Sequence, residues 1–491
     1  MSKLYVFGIG GTGSRVLKSL TMLLASGVEC GVDTIVPIII DRDMSNSDLS
    51  RTKMLIEDYI SVNKVAVHTA QNKFFKTNIE LLGGELCLQL KDSTQKFDDF
   101  IRKRSMTREN QALVEMLFSE YTLGMDMTVG FQGNPNVGSV VLNQFEDSEL
   151  FKAFSNDFSP DDKIFIISSI FGGTGASGFP LLHRVLQTPK SETSGLHNWG
   201  LINNASIGAI TVLPYFSVES GKDKDSQVNA DTFMDKAKAA LSYYKTEDKR
   251  LETMYYIADK QVTTYKHNKG GDGQRNNAHF VELAAALAVL DFVNPNKISE
   301  NINRDANKKI KETIYKEFGI LRSKTEDNAQ VVSFANLADE TKQTLINPLT
   351  RFLLFHKYLK NFYDKQRGQQ PYAHLYFDKN FINNETIKKM IKIQERFYGW
   401  LQEMEEQTRK FSPFILEDNS KIRFLRDRIN VVEPRKSNFM YKDWALLDNE
   451  LNRQSIKIDK DRGIIEETFK PEERFLELFY RASAELINYK N

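Results

Sequence analysis

The sequence predicts an α/β fold: a Rossmann-like parallel sheet domain, a buried central helix, then a second α+β domain ending in a helical C-terminal region. Three observations predict it. Apolar runs of strand length, such as Leu4-Tyr5-Val6-Phe7 and Ile164-Phe165-Ile166-Ile167, alternate with amphipathic stretches of helical length. That alternation is the pattern of a parallel sheet covered on both faces. Glycine-rich turns follow two of these runs and open helices, at residues 8–14 and 171–180. Residues 280–290 are apolar nearly all round and alanine-rich, which marks a helix buried between layers. The expected boundaries are 1–276 for the first domain, 277–295 for the central helix and 296–491 for the second domain.

Taken in order, residues 3–9 form a first strand, and Gly8-Ile9-Gly10-Gly11-Thr12-Gly13-Ser14 leads into a helix over 15–24. A GxGxxG between strand and helix is the context in which glycines let backbone N–H groups crowd around an anion. A second strand over 34–40 ends in Asp41-Arg42-Asp43. Acids there can hydrogen-bond a ribose or a metal-bound water, or else cap the next helix. Residues 47–120 read as mostly helical with a strand near 65–76, and the isolated His68 reads as surface or packing. Residues 125–139, with Gly130, Gly133, Asn134-Pro135 and Gly138, form a turn with special backbone angles.

The most informative stretch is Phe171-Gly172-Gly173-Thr174-Gly175-Ala176-Ser177-Gly178-Phe179-Pro180. It reads as tight turn and helix start, suited to phosphate through backbone amides and the helix dipole. A turn chosen only for close packing is the alternative. A buried strand over 206–213 ends at Pro214-Tyr215-Phe216, then come a helix over 231–244, a strand over 254–257 and a polar loop over 266–277. Asn294-Pro295-Asn296 ends the central helix. Beyond residue 300, charged helices are expected over 302–318, 340–364, 384–411 and 471–489, with strands over 330–334 and 373–377.

Composition bounds the partners. The chain of 491 residues is 41% apolar and 27% charged, with net charge +1, so it is an ordinary globular protein with no electrostatic case for nucleic acid or an acidic membrane. Cys30 and Cys87 form no CxxC, which fits a reducing cytoplasm better than a zinc or disulfide framework. There is no signal-peptide pattern, and residues 280–293 are too short to span a bilayer.

Together, these loops resemble the tubulin/FtsZ family over roughly residues 3–295, and the chain is most similar to its divergent bacterial tubulin-like members. Gly172-Gly173-Thr174-Gly175-Ala176-Ser177 resembles the family signature GGGTG(S/T)G. Gly10-Gly11-Thr12-Gly13-Ser14 is similar to the first phosphate loop, and Asp41 and Asp43 fall where FtsZ has Asn-Thr-Asp. Gly133-Asn134-Pro135 resembles the loop that meets the γ-phosphate. Glu219 lies where the family reaches the ribose, and Asn276, Asn277 or His279 would face the base. The resemblance implies a GTPase domain binding GTP/GDP with Mg²⁺, self-association into head-to-tail filaments, and hydrolysis across the subunit contact. It also leaves room for a protein partner on the C-terminal helices. The family's catalytic acid follows the central helix; Asn294-Pro295-Asn296 lacks it, and Asp305 in Asn303-Arg304-Asp305 is the candidate. Two alternatives stay open: a scaffold that binds nucleotide without hydrolysis, and a Rossmann-type enzyme using NAD or ATP through Gly8, Gly10, Gly13 and Asp41.

Overall fold

A computed structural model describes residues 2–69, 71–90, 96–190, 196–219, 230–247, 251–260, 263–266, 271–273, 275–297, 300, 302–304, 310, 312–319, 331–362, 371–374, 377, 381–416, 443–461 and 470–489. The first strand, β1 (Lys3–Ile9), runs straight into α1 (Gly10–Ala25). β2 (Thr34–Ile40) precedes α2 (Ser47–Ala66), which Asn46 caps by accepting the Asp48 N–H at 2.8 Å. A two-residue strand β3 (Asn78–Ile79) then pairs with β2. β3 stops opposite Ile35, so Pro37 of β2, which has no N–H to give, meets no ladder partner on that side.

After a first loop at 8–14 and a second at 41–43, a third loop with Gly130 and Gly133 leads into α3 (Pro135–Leu142). β4 (Lys163–Ser169) feeds α4 (Gly173–Gln187), and β5 (Ser206–Val212) is followed by the short β6 (Phe216–Val218) and α5 (Ala230–Glu247). β7 (Thr253–Ile257), β8 (Thr263–Tyr265) and α6 (Phe280–Phe292) complete the first half. The seventh strand of the sheet, β9 (Ile314–Glu317), pairs with β7.

The sheet is seven-stranded, parallel throughout, in the order β3-β2-β1-β4-β5-β7-β9. Chain order reverses between β1 and β4. In an open α/β sheet that reversal, at the carboxyl ends of the strands, is where a crevice forms. α6 is buried along almost its whole length, as its composition demands.

Three sequence expectations need correction. Among the described residues of 302–318, 314–317 are an edge strand with alternating exposure where a helix is expected, and the Ile-Tyr pair suits a pleated position better than the surrounding charges suggest. Among the described residues of 65–76 there is no strand, because α2 runs to Ala66 and the Asn63 amide then holds the returning chain at the Phe75 carbonyl, 2.7 Å away. Residues 371–374 are a short helix, not a strand, with Pro371 in the first helical position it favours.

Among its described residues, the C-terminal half holds a small parallel pair, β10 (Val331–Val332) with β11 (Lys410–Phe411), and four long helices: α7 (Asp339–Phe362), α8 (Glu385–Glu405), α9 (Asp443–Asp461) and α10 (Pro471–Leu486). Their core is aromatic, with Phe355 stacked on Phe479 at 4.4 Å and Phe352 edge-on to Phe397 at 4.9 Å. Phe74 from the first half inserts into it against Phe355 and Tyr480. α8 lies along α2 and touches α1, where buried Trp400 donates its indole N–H to Ser19 Oγ at 3.2 Å.

Candidate functional site: a glycine-lined cleft at the strand reversal

Two helices, α1 and α4, begin at the reversal point. Neither α1 nor α4 has a side-chain N-cap, and neither carries an acid in its first turn. By contrast, α2, α3 and α6 are capped by Asn46, Asn134 and His279. Unsatisfied N–H groups and the positive dipole ends of α1 and α4 therefore both face the sheet edge, an arrangement that favours an anion.

Glycine makes this convergence possible by close approach. A Cβ on Gly13 would lie 2.5 Å from the Gly8 carbonyl carbon, and one on Gly175 would lie 2.5 Å from the Ser169 oxygen. Each strand-to-helix turn is thus folded back on its own strand. The third loop joins them: a Cβ on Gly173 would meet Phe131, Gly133 and Asn134 at 3.0–3.2 Å. Gly10 adopts φ +71° beside Thr174, bringing the first loop against the glycine turn at 172–175.

These loops line one cleft of about 550 Å³. Gly10, Gly11 and Thr12 form one side, Gly130 to Gly133 another, and Gly172 to Gly175 the floor. At the end of β2, Asp41 and Asp43 enter the same cleft. Asp43 is held by Ser45 Oγ at 2.9 Å and the Gly271 N–H at 2.8 Å. Burial pushes the Asp41 carboxyl up to about 7, and the neighbouring Asp43 charge adds to that. The far wall is aromatic: Phe171, Phe216 and Tyr265 touch edge to face, with Phe216 and Tyr265 set on the paired strands β6 and β8. Lys266 and Arg275 lie along the lining.

The cleft has a buried cation that local sequence reading missed. Arg15 is 2% exposed; it donates to Glu282 at 2.7 Å, Tyr215 at 2.8 Å and Asp48 at 3.2 Å. Burial alone would lower its pKa, but Tyr215, Glu282 and Asp48 more than offset that and hold the guanidinium charged. The network continues through Asp48 to Arg51 and on to Glu403 of α8, which also pairs with Lys18. Glu282 simultaneously accepts the His279 N–H, and His279 Nδ1 accepts that of Val281, closing a capping box on α6.

Of the candidates named from sequence, the cleft brings together Gly10, Gly11, Thr12, Asp41, Asp43, Gly133, Gly172, Gly173, Thr174 and Gly175. The others are placed behind it. Gly13 packs on Gly8, and Ser14 is buried. Asn134 caps α3, and Pro135 and Ala176 line a neighbouring cleft. Ser177 donates to the Gly173 carbonyl at 2.7 Å. Glu219 extends the β6–β8 pairing with its N–H on Tyr265, while Val218 faces the cleft. The Asn277 amide turns to Glu406 at 3.1 Å; Asn276, its backbone pinned between Asp48 and Arg51, lines the cleft instead. Asp305 lies outside the described residues.

No protein-family model and no curated protein matches the chain. Solved structures of the tubulin/FtsZ family are similar to it. One is CetZ from Methanosaeta thermophila strain DSM 6194, at 14% identity and TM-score 0.25, covering 52% of this chain and 46% of that one. A second is CetZ2 from Haloferax volcanii in a GTPgS-bound protofilament, at 14% and 0.25, covering 52% and 49%. A third is CetZ1 from Haloferax volcanii as a GDP-bound monomer, at 14% and 0.29, covering 62% of each. The chain thus spans between about half and three fifths of their lengths. Likeness this slight carries no weight by itself; the sheet order and the loop geometry carry the functional reading. Among the described residues, no helix is long and apolar enough to cross a membrane.

Proposed function

We propose that this chain is a tubulin/FtsZ-like guanine-nucleotide-binding protein that self-associates head to tail and hydrolyses GTP across the contact. The observation that carries it is the meeting of two uncapped helix N-termini and a third glycine loop in one cleft, at the reversal of strand order. The order of motifs along the chain supports the family: phosphate loop, acid pair, Asn-Pro loop, glycine signature, then buried helix. A Rossmann dehydrogenase accounts for the first loop and Asp41 but gives no role to the third loop or to residues 171–175.

In this reading residues 10–12 and 172–175 hold the α- and β-phosphates through main-chain amides, and 130–133 meet the γ-phosphate. Phe216 and Tyr265 offer an aromatic surface beside the sugar and base. Magnesium is usually held by one or two carboxylates and the phosphates themselves, and Asp41, whose raised pKa a neighbouring cation would reverse, fits that role. Bound there, the ion would neutralise phosphate charge. A contact that puts one subunit's helix α6 end over the next subunit's cleft is heterologous and does not close, so it propagates as a filament. Asp305 is the proposed acid that orients the attacking water.

Nucleotide released by heat from the purified protein should be guanine nucleotide, and GTP should promote pelleting seen as filaments by electron microscopy. Phosphate release per molecule should rise with protein concentration and be lost in Asp305→Ala. Calorimetry that finds no affinity for GTP or GDP refutes the proposal. Binding without concentration-dependent turnover refutes the hydrolytic part and leaves a nucleotide-binding scaffold.

A further inference from the structure

From the geometry we infer that Lys236, on α5, is a positioning residue that braces the third loop and so sets how well the cleft distinguishes a nucleoside triphosphate from a diphosphate. The inference rests on the nucleotide reading above and goes beyond it, since nothing in the motif pattern points to α5.

The third loop is conformationally demanding. Asn134 donates its N–H to the Phe131 carbonyl at 2.7 Å, closing a turn whose two central residues are Gln132 and Gly133. Both have positive φ, +43° and +75°, as a type I′ turn requires. Gly130, two residues earlier, is at +85°. Gln132 is not glycine, so this shape must be held by its surroundings. Two contacts do so. On one side the turn lies backbone to backbone against Gly173 at the start of α4. On the other, Lys236 Nζ donates to the Gly133 carbonyl at 3.1 Å.

Lys236 does not line the nucleotide cleft. It lines an adjoining cleft of about 560 Å³ behind the loop, with Pro135, Gly172 and Tyr243. It therefore grips the turn from behind while Gly130, Gln132 and Gly133 present their front to the ligand. Half-burial lowers its pKa, so the amine is set down partly out of water against this carbonyl. A loop already braced contributes its amides to a terminal phosphate without an ordering cost, and only a ligand that reaches the loop gains from this. A diphosphate, held by residues 10–12 and 172–175, is indifferent to it.

The test is calorimetric titration of the full chain with GTPγS and with GDP, in Mg²⁺, for the unaltered protein, Lys236→Met and Lys236→Arg. A hydrogen bond from a charged donor is worth roughly a tenfold factor. Lys236→Met should therefore weaken GTPγS about tenfold and leave GDP within about twofold, and Lys236→Arg should restore the ratio. Equal weakening of both ligands, or an unchanged ratio, overturns this inference while leaving the nucleotide assignment intact. Failure of the unaltered chain to bind either ligand overturns the nucleotide assignment and this inference with it. Should Lys236→Met fold poorly, Lys236→Gln serves the same comparison.

Discussion

Replacing Arg15 with methionine removes the cation on which three buried groups converge. Methionine fills much of the same volume, but the Glu282 carboxylate, 0% exposed, then keeps, among the described residues, the Tyr215 hydroxyl and the His279 N–H as partners. Asp48 retains Arg51. Stranding one buried charge in this way costs on the order of 3–5 kcal/mol. Unfolding entropy of roughly 2.1 cal/mol/K per residue, over 491 residues, comes to about 1 kcal/mol/K, so Tm should fall by about 3–5 °C if the chain unfolds as one unit. Glu282→Gln in the Arg15→Met background neutralises the stranded group. The double variant should therefore be more stable than the sum of the two single losses by about 1–3 kcal/mol. Thermal and urea unfolding of the four proteins measures this. A loss under about 1 kcal/mol for Arg15→Met alone, or additivity within about 0.5 kcal/mol, would show that the pair is not coupled as described.

Gly175→Ala places a Cβ 2.5 Å from the Ser169 carbonyl oxygen, so the β4–α4 turn must open; stability should drop by about 1–3 kcal/mol and nucleotide affinity at least about tenfold. Gly200→Ala, with nothing within 4 Å of its Cβ, should match the unaltered protein in both melting and titration. Asp41 has a folded pKa of about 7 against 3.8 unfolded, so between these values the folded state binds more protons and stability falls as pH rises towards 7. Asp41→Asn should flatten that slope in melts of ligand-free protein from pH 5 to 8, and raise Tm chiefly at the alkaline end. His279 is shifted the other way, its pKa lowered by burial, and its Nδ1 accepts the Val281 N–H only while unprotonated. Its contribution is present above pH 6.5 and is lost as pH falls below that. His279→Ala should cost about 1 kcal/mol at pH 7.5 and less at pH 5. Some acid sensitivity should persist, because buried His356, lowered to about 4, contributes in the same sense.

What could be read from the sequence was local. The loops at 8–14 and 171–175 announce themselves because glycine is required within a few residues of a strand end, and the apolar surface of α6 is continuous along the chain. Arg15 gave no such signal. It follows the first loop directly and reads as an ordinary helix-opening residue, while its partners Asp48 and Glu282 stand 33 and 267 positions away. Lys236 was hidden in the same way, 103 positions from the carbonyl it grips. The aromatic wall was missed because β6 and β8 are three residues each, too short for alternation to register. At the head of α6 the difficulty was one of phase: Asn276 and Asn277 are adjacent, and only the pinning of the 276 backbone by Asp48 and Arg51 decides which of them lines the cleft.

Glu403 belongs to α8, more than 350 positions after the two cations it neutralises, Lys18 and Arg51, and it also receives the Ala278 N–H at the approach to α6. The half that holds the cleft therefore borrows a counter-ion from the C-terminal half. A protein cut after α6 would lose that carboxylate, along with the indole that rests on Ser19 and the aromatic slot that receives Phe74. Folding of the cleft is thereby tied to folding of α8, which supplies contacts that the first 292 residues do not make among themselves.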